Sequence, residues 1–134
     1  MNQIYRLILI LFTIFPIVLA SKEEKDKCDT YIEKGYQESK VLTKKPIIKI
    51  NFSLKDFFPK EAKEKNIKTG KSVVQIFLNK KGKLVCTSIR QKSEGYGFDQ
   101  AALQILRKAK FRPGEVKGKP VDSYLTLPIE FSSE

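Results

Sequence analysis

The chain has 134 residues, enough for one domain with a leader or a tail. It carries 26 lysines and arginines against 15 aspartates and glutamates, a formal net charge of +11 at pH 7. This charge favours attraction to anionic surfaces, but aromatic residues do not alternate with the lysines in a stacking pattern, so we predict no nucleic-acid partner. The chain has no histidine and two cysteines, which removes the commonest general base and the usual zinc sites, so we predict no cofactor and no metal.

Residues 1–20 have the layout of an export signal. Arg6 and the amino terminus precede an apolar run, and Ala20 stands directly before a charged stretch. A membrane-spanning helix needs about 20 apolar residues, whereas this run is shorter and contains Pro16. The sequence therefore predicts a signal peptide cleaved after Ala20, with a short retained membrane anchor as the alternative.

Residues 21–45 form a charged N-terminal segment or linker. It could hold a short helix broken at Gly35, or it could lie loosely along the domain that follows. Its Cys28 and the distant Cys86 are the two cysteines of a chain predicted to be exported, which makes one disulfide possible. Such a bridge would close a loop of about 59 residues and contribute about 4 kcal/mol in the chain-entropy model.

A regular pattern begins at residue 46. Ile48, Ile50, Phe52 and Leu54 alternate with polar residues, which predicts a half-buried strand. A short helix over residues 59–65 follows. Its first position suits Pro59, and its end is marked by Asn66 or Gly70.

The middle of the chain predicts a β-hairpin. Residues 72–79 are apolar on both faces of a strand, which indicates a central position with cover on each side. Gly82 makes the turn, and residues 84–91 return antiparallel with Cys86 facing outward. The second apolar face at Val73 and Phe77, together with the outward Cys86, predicts that the Cys28 segment folds back over the sheet.

An amphipathic helix and a closing strand complete the pattern. The apolar residues of the helix recur at helical spacing and share one face: Phe98, Ala101, Ala102, Ile105 and Ala109. Residues 123–131 alternate cleanly, and Pro128 cannot donate to a ladder, so this strand is predicted at a sheet edge. The order of elements predicts an α+β, two-layer domain over residues 46–134, a small antiparallel sheet with two helices on one face.

Several short motifs, in this order and spacing, resemble the C-terminal domain family of TonB-type energy transducers. They are Phe58-Pro59 with Ala62, Gly70, the Gly82 hairpin, Ser93-Glu94-Gly95, Phe98-Asp99-Gln100-Ala101-Ala102-Leu103, Phe111-Arg112-Pro113-Gly114, Gly118-Lys119-Pro120-Val121 and Leu127-Pro128-Ile129-Glu130-Phe131. The likeness covers residues 46–131.

This resemblance implies a periplasmic protein-binding module that is associated with TonB-dependent transport across the outer membrane. Family members bind outer-membrane receptors, or other envelope proteins, by adding a partner strand to a sheet edge. Carried over by position, the partner-binding edge consists of five residues: Ser123, Tyr124, Leu125, Thr126 and Leu127. An ordinary edge strand whose leucines fill the core is the alternative. The resemblance also implies an inner-membrane motor complex as partner if the N-terminal helix is retained, and a homodimer is a further option.

Two other functions compete with this hypothesis. A basic envelope-surface protein could reuse the fold to dock on anionic lipid or polymer, without energy transduction. An enzyme would need a nucleophile and a base, and the suspicious acidic residues are Asp99 and Glu130. A helix N-terminus explains the first and an outward strand position explains the second, so we predict that the chain is not an enzyme.

Overall fold

The computed structural model describes residues 26–91 and 93–134. The predicted signal peptide, its cleavage point after Ala20 and the start of the charged segment lie outside the described residues. Within the described ranges, no helix is long and apolar enough to cross a membrane.

The described residues form three α-helices and eight strands. The helices are α1 (Asp29–Glu33), α2 (Lys60–Glu64) and α3 (Phe98–Lys108). The strands are β1 (Gln37–Glu38), β2 (Ile47–Lys49), β3 (Thr69–Leu78), β4 (Leu84–Gln91), β5 (Lys110–Arg112), β6 (Gly114–Val116), β7 (Lys119–Val121) and β8 (Ser123–Ser132). Two short 3₁₀ helices, Ser39–Val41 and Leu54–Phe57, lie between them.

The main sheet has four strands in the order β1-β8-β3-β4. The central pair is antiparallel and in continuous register from Thr69 opposite Ser132 to Leu78 opposite Ser123. β4 is antiparallel to β3, whereas β1 runs parallel to the start of β8. The sheet is therefore mixed, and the prediction of a wholly antiparallel sheet is wrong at this one short strand.

One face of the sheet carries the two helices and the main core. Val74, Ile76 and Leu78 of β3 have no exposed surface and pack with residues of α2 and α3. The helical and flanking members of this core are Phe58, Ala62, Phe98, Ala101, Ala102, Ile105, Leu106 and Phe131. The predicted α+β domain with two helices on one face of the sheet is confirmed.

The opposite face is covered by the N-terminal segment. Cys28 is buried and forms a disulfide with Cys86 of β4, as predicted. The ring of Phe77 lies 5.7 Å from that of Tyr31 and 6.2 Å from that of Tyr36. The segment therefore folds back over the sheet, and this second aromatic layer buries Phe77 completely.

The strand predicted from residue 48 onward is mostly wrong. β2 ends at Lys49 and pairs with β5 in a separate two-stranded sheet. Ile50 and Leu54, expected to face inward, are 43% and 41% exposed. The chain instead turns at Phe52, whose ring packs 5.1 Å from that of Phe57. An alternating pattern shows which strand a segment could form, but it does not supply a neighbouring edge to pair with.

The expected edge position of the last strand needs a correction at its start. β8 pairs with β3 along its whole length, but β1 lies on the other side of its first two residues, Ser123 and Tyr124. Beyond Tyr124, no strand among the described residues pairs with this outer side. β8 is thus central for two residues and an edge strand for residues 125–132.

Candidate functional site

The outer edge of β8 presents the backbone groups of every second residue. The Gln37 N–H donates to the Asp122 carbonyl at 3.1 Å, so Asp122 directs its backbone outward. The N–H and C=O groups of successive residues point to opposite sides of a strand, and the pairing of β8 with β3 has no bulge. The backbone groups of Tyr124, Thr126 and Pro128 therefore point outward, like those of Asp122. The nitrogen of Pro128 therefore lies on the outer side, so the hydrogen that it lacks is not needed in the ladder with β3. On its outer side β8 therefore has a donor at Tyr124, which faces β1, and a donor at Thr126, which no strand approaches, and it lacks a donor at Pro128.

The five predicted site residues share this edge, but their side chains face different surroundings. Leu125 and Leu127 are half-buried against the main core, as the alternative hypothesis for the leucines predicts. Tyr124 stacks on Phe77 on the opposite face, with ring centroids 5.2 Å apart. Ser123 is fully buried, whereas Thr126 is exposed. Of the five, Tyr124 and Thr126 direct their backbone groups to the outer side, whereas the backbone of Ser123, Leu125 and Leu127 faces β3.

Sequence reasoning missed β1, which covers part of this edge. β1 is preceded by α1 and by Cys28, and these are anchored to β4 by polar contacts as well as by the disulfide. Arg90 Nη2 donates to Asp29 Oδ1 at 2.9 Å, and the Ser88 hydroxyl donates to the Asp26 carboxylate. The sequence feature that could have indicated this attachment is in β4, where the polar residues Ser88 and Arg90 share a face with Cys86.

Two ionisable groups in this N-terminal segment have shifted pKa values. The hydrogen bond from Ser88 is the main cause that lowers the pKa of Asp26, and the Cys28 N–H at 2.9 Å adds to it. Burial raises the pKa of Tyr36, and the nearby Asp122 carboxylate acts in the same direction. The segment is thus docked with Asp26 ionised and Tyr36 as the neutral phenol at neutral pH.

Acidification is expected to weaken this docking through Asp26. A carboxyl group with a lowered folded pKa stabilises the fold fully above its unfolded value of about 3.9, and the stabilisation is lost as the pH falls through the folded pKa. Urea unfolding of the wild type and Asp26→Asn, followed by circular dichroism, should show a stability difference at pH 7 that shrinks at pH 3. An equal difference at both pH values would contradict this assignment.

The two acidic residues considered for catalysis have structural contacts. Asp99 accepts hydrogen bonds from the Ser72 hydroxyl at 2.6 Å and from the Ser93 N–H at 3.1 Å. Glu130 lies on the exposed side of β8, 4.0 Å from the ammonium of Lys71. In the described part of the chain, no group of three or more acidic or cysteine side chains could hold a metal ion. Both carboxylates therefore have a role in the fold that does not require catalysis.

Comparison with known proteins identifies the family. The sequence model of the family described as Gram-negative bacterial TonB protein C-terminal matches residues 55–133, more than half of the chain. The chain is also similar to Protein TonB of Vibrio cholerae serotype O1, at 26% identity over 105 residues and 78% of this chain. It spans 42% of that relative's length. The resemblance predicted from the motifs is confirmed, and the chain belongs to the TonB C-terminal domain family.

Proposed function

We propose that the chain is a periplasmic protein-binding module associated with TonB-dependent transport across the outer membrane. A segment of an outer-membrane receptor, or of another envelope protein, pairs as a strand with the outer edge of β8. Family membership and the similarity to a protein named TonB support the setting. The observation that carries the mode of binding is the unpaired outer side of β8 beyond Tyr124, within the described residues.

Strand pairing suits this edge better than a side-chain pocket does. Unpaired backbone donors and acceptors at an edge are strong, directional groups that a partner strand satisfies. Leu125 and Leu127 are committed to the core, so main-chain hydrogen bonds provide most of the affinity. The exposed Thr126 and the half-buried Tyr124 are the side chains that contribute selectivity.

The wider assembly is a separate part of the proposal. Coupling to an inner-membrane motor complex would require a membrane helix in residues 1–25, which lie outside the described part, and this chain spans 42% of its named relative. A second copy of the chain could also pair with the same edge and form a homodimer. Size-exclusion chromatography with light scattering measures the molar mass of the free and the receptor-bound protein, and so distinguishes a second copy at this edge from a receptor strand.

Proline at position 126 is expected to weaken receptor binding about tenfold. Thr126→Pro removes the outward donor and places a ring in the path of a partner strand. Loss of one such hydrogen bond, at about 1–1.5 kcal/mol, corresponds to about tenfold in Kd. Pro128 shows that an outward position of β8 accepts proline while the ladder with β3 continues. The matched control, Thr126→Ala, keeps the N–H and should bind within about twofold of the wild type.

The measurement is fluorescence anisotropy with labelled ten-residue peptides. They are tiled over the periplasm-facing N-terminal segments of the source organism's outer-membrane receptors. Circular dichroism spectra of both variants check that the fold is kept. Equal binding by Thr126→Pro and Thr126→Ala would rule out pairing at this edge.

The alternative, docking of a basic surface on anionic lipid or polymer, is favoured by the exposure of the lysines. The side chains of Lys40, Lys44 and Lys60 are 71%, 75% and 91% exposed, and each also has a glutamate carboxylate nearby, at 2.9, 3.7 and 3.8 Å. Contacts between exposed charges are screened by salt. Binding to anionic vesicles that disappears in moderate salt, without any receptor-peptide binding, would support this function. Peptide binding that persists in salt supports strand pairing.

A further inference from the structure

β1 occupies the first part of the predicted receptor-binding edge, which consists of residues 123–127 of β8. Gln37 and Glu38 lie opposite Ser123 and Tyr124. The Gln37 N–H donates a hydrogen bond to the outward Asp122 carbonyl at 3.1 Å. Pro128 provides no outward donor. Among the described residues between β1 and Pro128, Thr126 alone keeps an outward N–H that no strand approaches. Within the predicted site, residues 123–127, a receptor strand therefore cannot form a ladder of several residues while β1 stays in place, and the edge beyond it is interrupted by the missing donor at Pro128.

β1 is too short to hold this position by its own pairing. It has two residues, and each backbone hydrogen bond contributes a net of about 1 kcal/mol. The salt bridge between Lys40 and Glu38 adds little, because both side chains are exposed to solvent, at 71% and 41%. β1 on its own would therefore leave the edge readily.

The residues that precede β1 provide the stronger attachment. Cys28 is bonded covalently to Cys86 in β4. Tyr36, the residue directly before β1, packs on Phe77, and its N–H donates to the Tyr31 carbonyl at 3.1 Å. These contacts lie on the sheet face, away from the β8 edge, so they hold β1 near the edge without using the edge itself. A covalent latch on the face thus raises the local concentration of β1 at the edge.

We propose that Gln37–Glu38 is an intrachain competitor for the receptor-binding edge, held there by the Cys28–Cys86 latch and displaced when a receptor strand binds. The proposal rests on the proposed function and adds its regulation. When the competent, uncovered state is a small fraction of the population, the apparent Kd is raised by the inverse of that fraction. Any change that releases β1 therefore tightens receptor binding without altering the edge.

Gln37→Pro tests the competitor directly. It removes the N–H that bonds to Asp122, whereas the matched control Gln37→Ala keeps this donor and changes only an exposed side chain. With the full chain and the labelled receptor peptides, Gln37→Pro should bind at least about tenfold more tightly than Gln37→Ala and the wild type. Equal affinity of all three forms would overturn the competitor and leave the proposed function standing. Absence of peptide binding by every form would refute the proposed function and this inference with it.

A second measurement needs no partner and no Gln37→Pro variant, so it tests the proposal even if that variant fails to fold. Amide exchange of ¹⁵N-labelled wild type should show a protected Tyr124 amide and a faster Thr126 amide. Rapid exchange of Tyr124 in the wild type would overturn the proposal. Cys28→Ala/Cys86→Ala opens the latch and should both accelerate Tyr124 exchange and tighten peptide binding; wild-type values for both would show that the disulfide does not control the edge.

Discussion

Phe98→Ala is expected to lower the free energy of unfolding by about 3–5 kcal/mol, the range for a large aromatic residue removed from a core. Phe98 is 2% exposed and begins α3. Its ring contacts those of Phe58 and Phe131, with centroids 5.6 and 5.3 Å away. It therefore joins the helix layer to the end of β8. Urea unfolding followed by circular dichroism measures the loss, because the chain has no tryptophan.

Gly70 provides a matched test of the same packing. A methyl group added at Gly70 would overlap the ring of Phe98, so Gly70→Ala should cost about 1–3 kcal/mol as an overpacking change. In the Phe98→Ala background the ring is gone, and the cost of Gly70→Ala should be smaller. Additive losses in the double variant would show that the two positions are not in contact.

Removing the disulfide is expected to have an effect of similar size. In the chain-entropy model, the loop of about 59 residues closed by the bridge contributes about 4 kcal/mol. Cys28→Ala/Cys86→Ala should lose about this amount in urea unfolding, and the reduced wild type should lose a similar amount. The α3 face does not contact the bridge, so the variant should keep a cooperative transition.

Two results would contradict this expectation. Equal stability of the oxidised wild type and the double alanine variant would show that the bridge does not constrain the unfolded chain. A normal transition with a loss far below 4 kcal/mol would show that residues 26–45 detach before the domain unfolds. Amide exchange in β4 distinguishes the two cases, because detachment exposes the face around Cys86.

The sequence was sufficient for the elements with strong periodicity. β3 follows from a run of residues that is apolar on both faces, and α3 follows from apolar residues repeated at a period of 3.6; both elements, and the hairpin from β3 to β4, are confirmed. Asn66, at φ 55°, ends α2, and Gly82, at φ 80°, lies in the hairpin turn. The fold-back of the Cys28 segment also followed, because an apolar second face on β3 requires a cover.

Other features depend on partners that no local pattern shows. β1 has two polar residues, Gln37 and Glu38, and it exists because an unpaired stretch of β8 lies beside it. β2 and its partner β5 are each three residues long and pair at all three positions, and Lys49 is the last of them. The resemblance placed the candidate site on β8, and its location stays a prediction. That its first two residues carry an intrachain strand could be found only from the assembled sheet.

The position of Pro128 also bears on the behaviour of the protein at high concentration. A long unbroken sheet edge is a template on which copies of a chain can stack into fibrils. Here the donor missing at residue 128 interrupts the row of hydrogen bonds partway along β8, and the exposed Glu130 beyond it places a charge on the same edge. One short strand can still be accepted, but open-ended growth of the sheet is interrupted. Pro128 thereby disfavours aggregation of the protein, and under the proposed function it also limits the length of the segment that can bind.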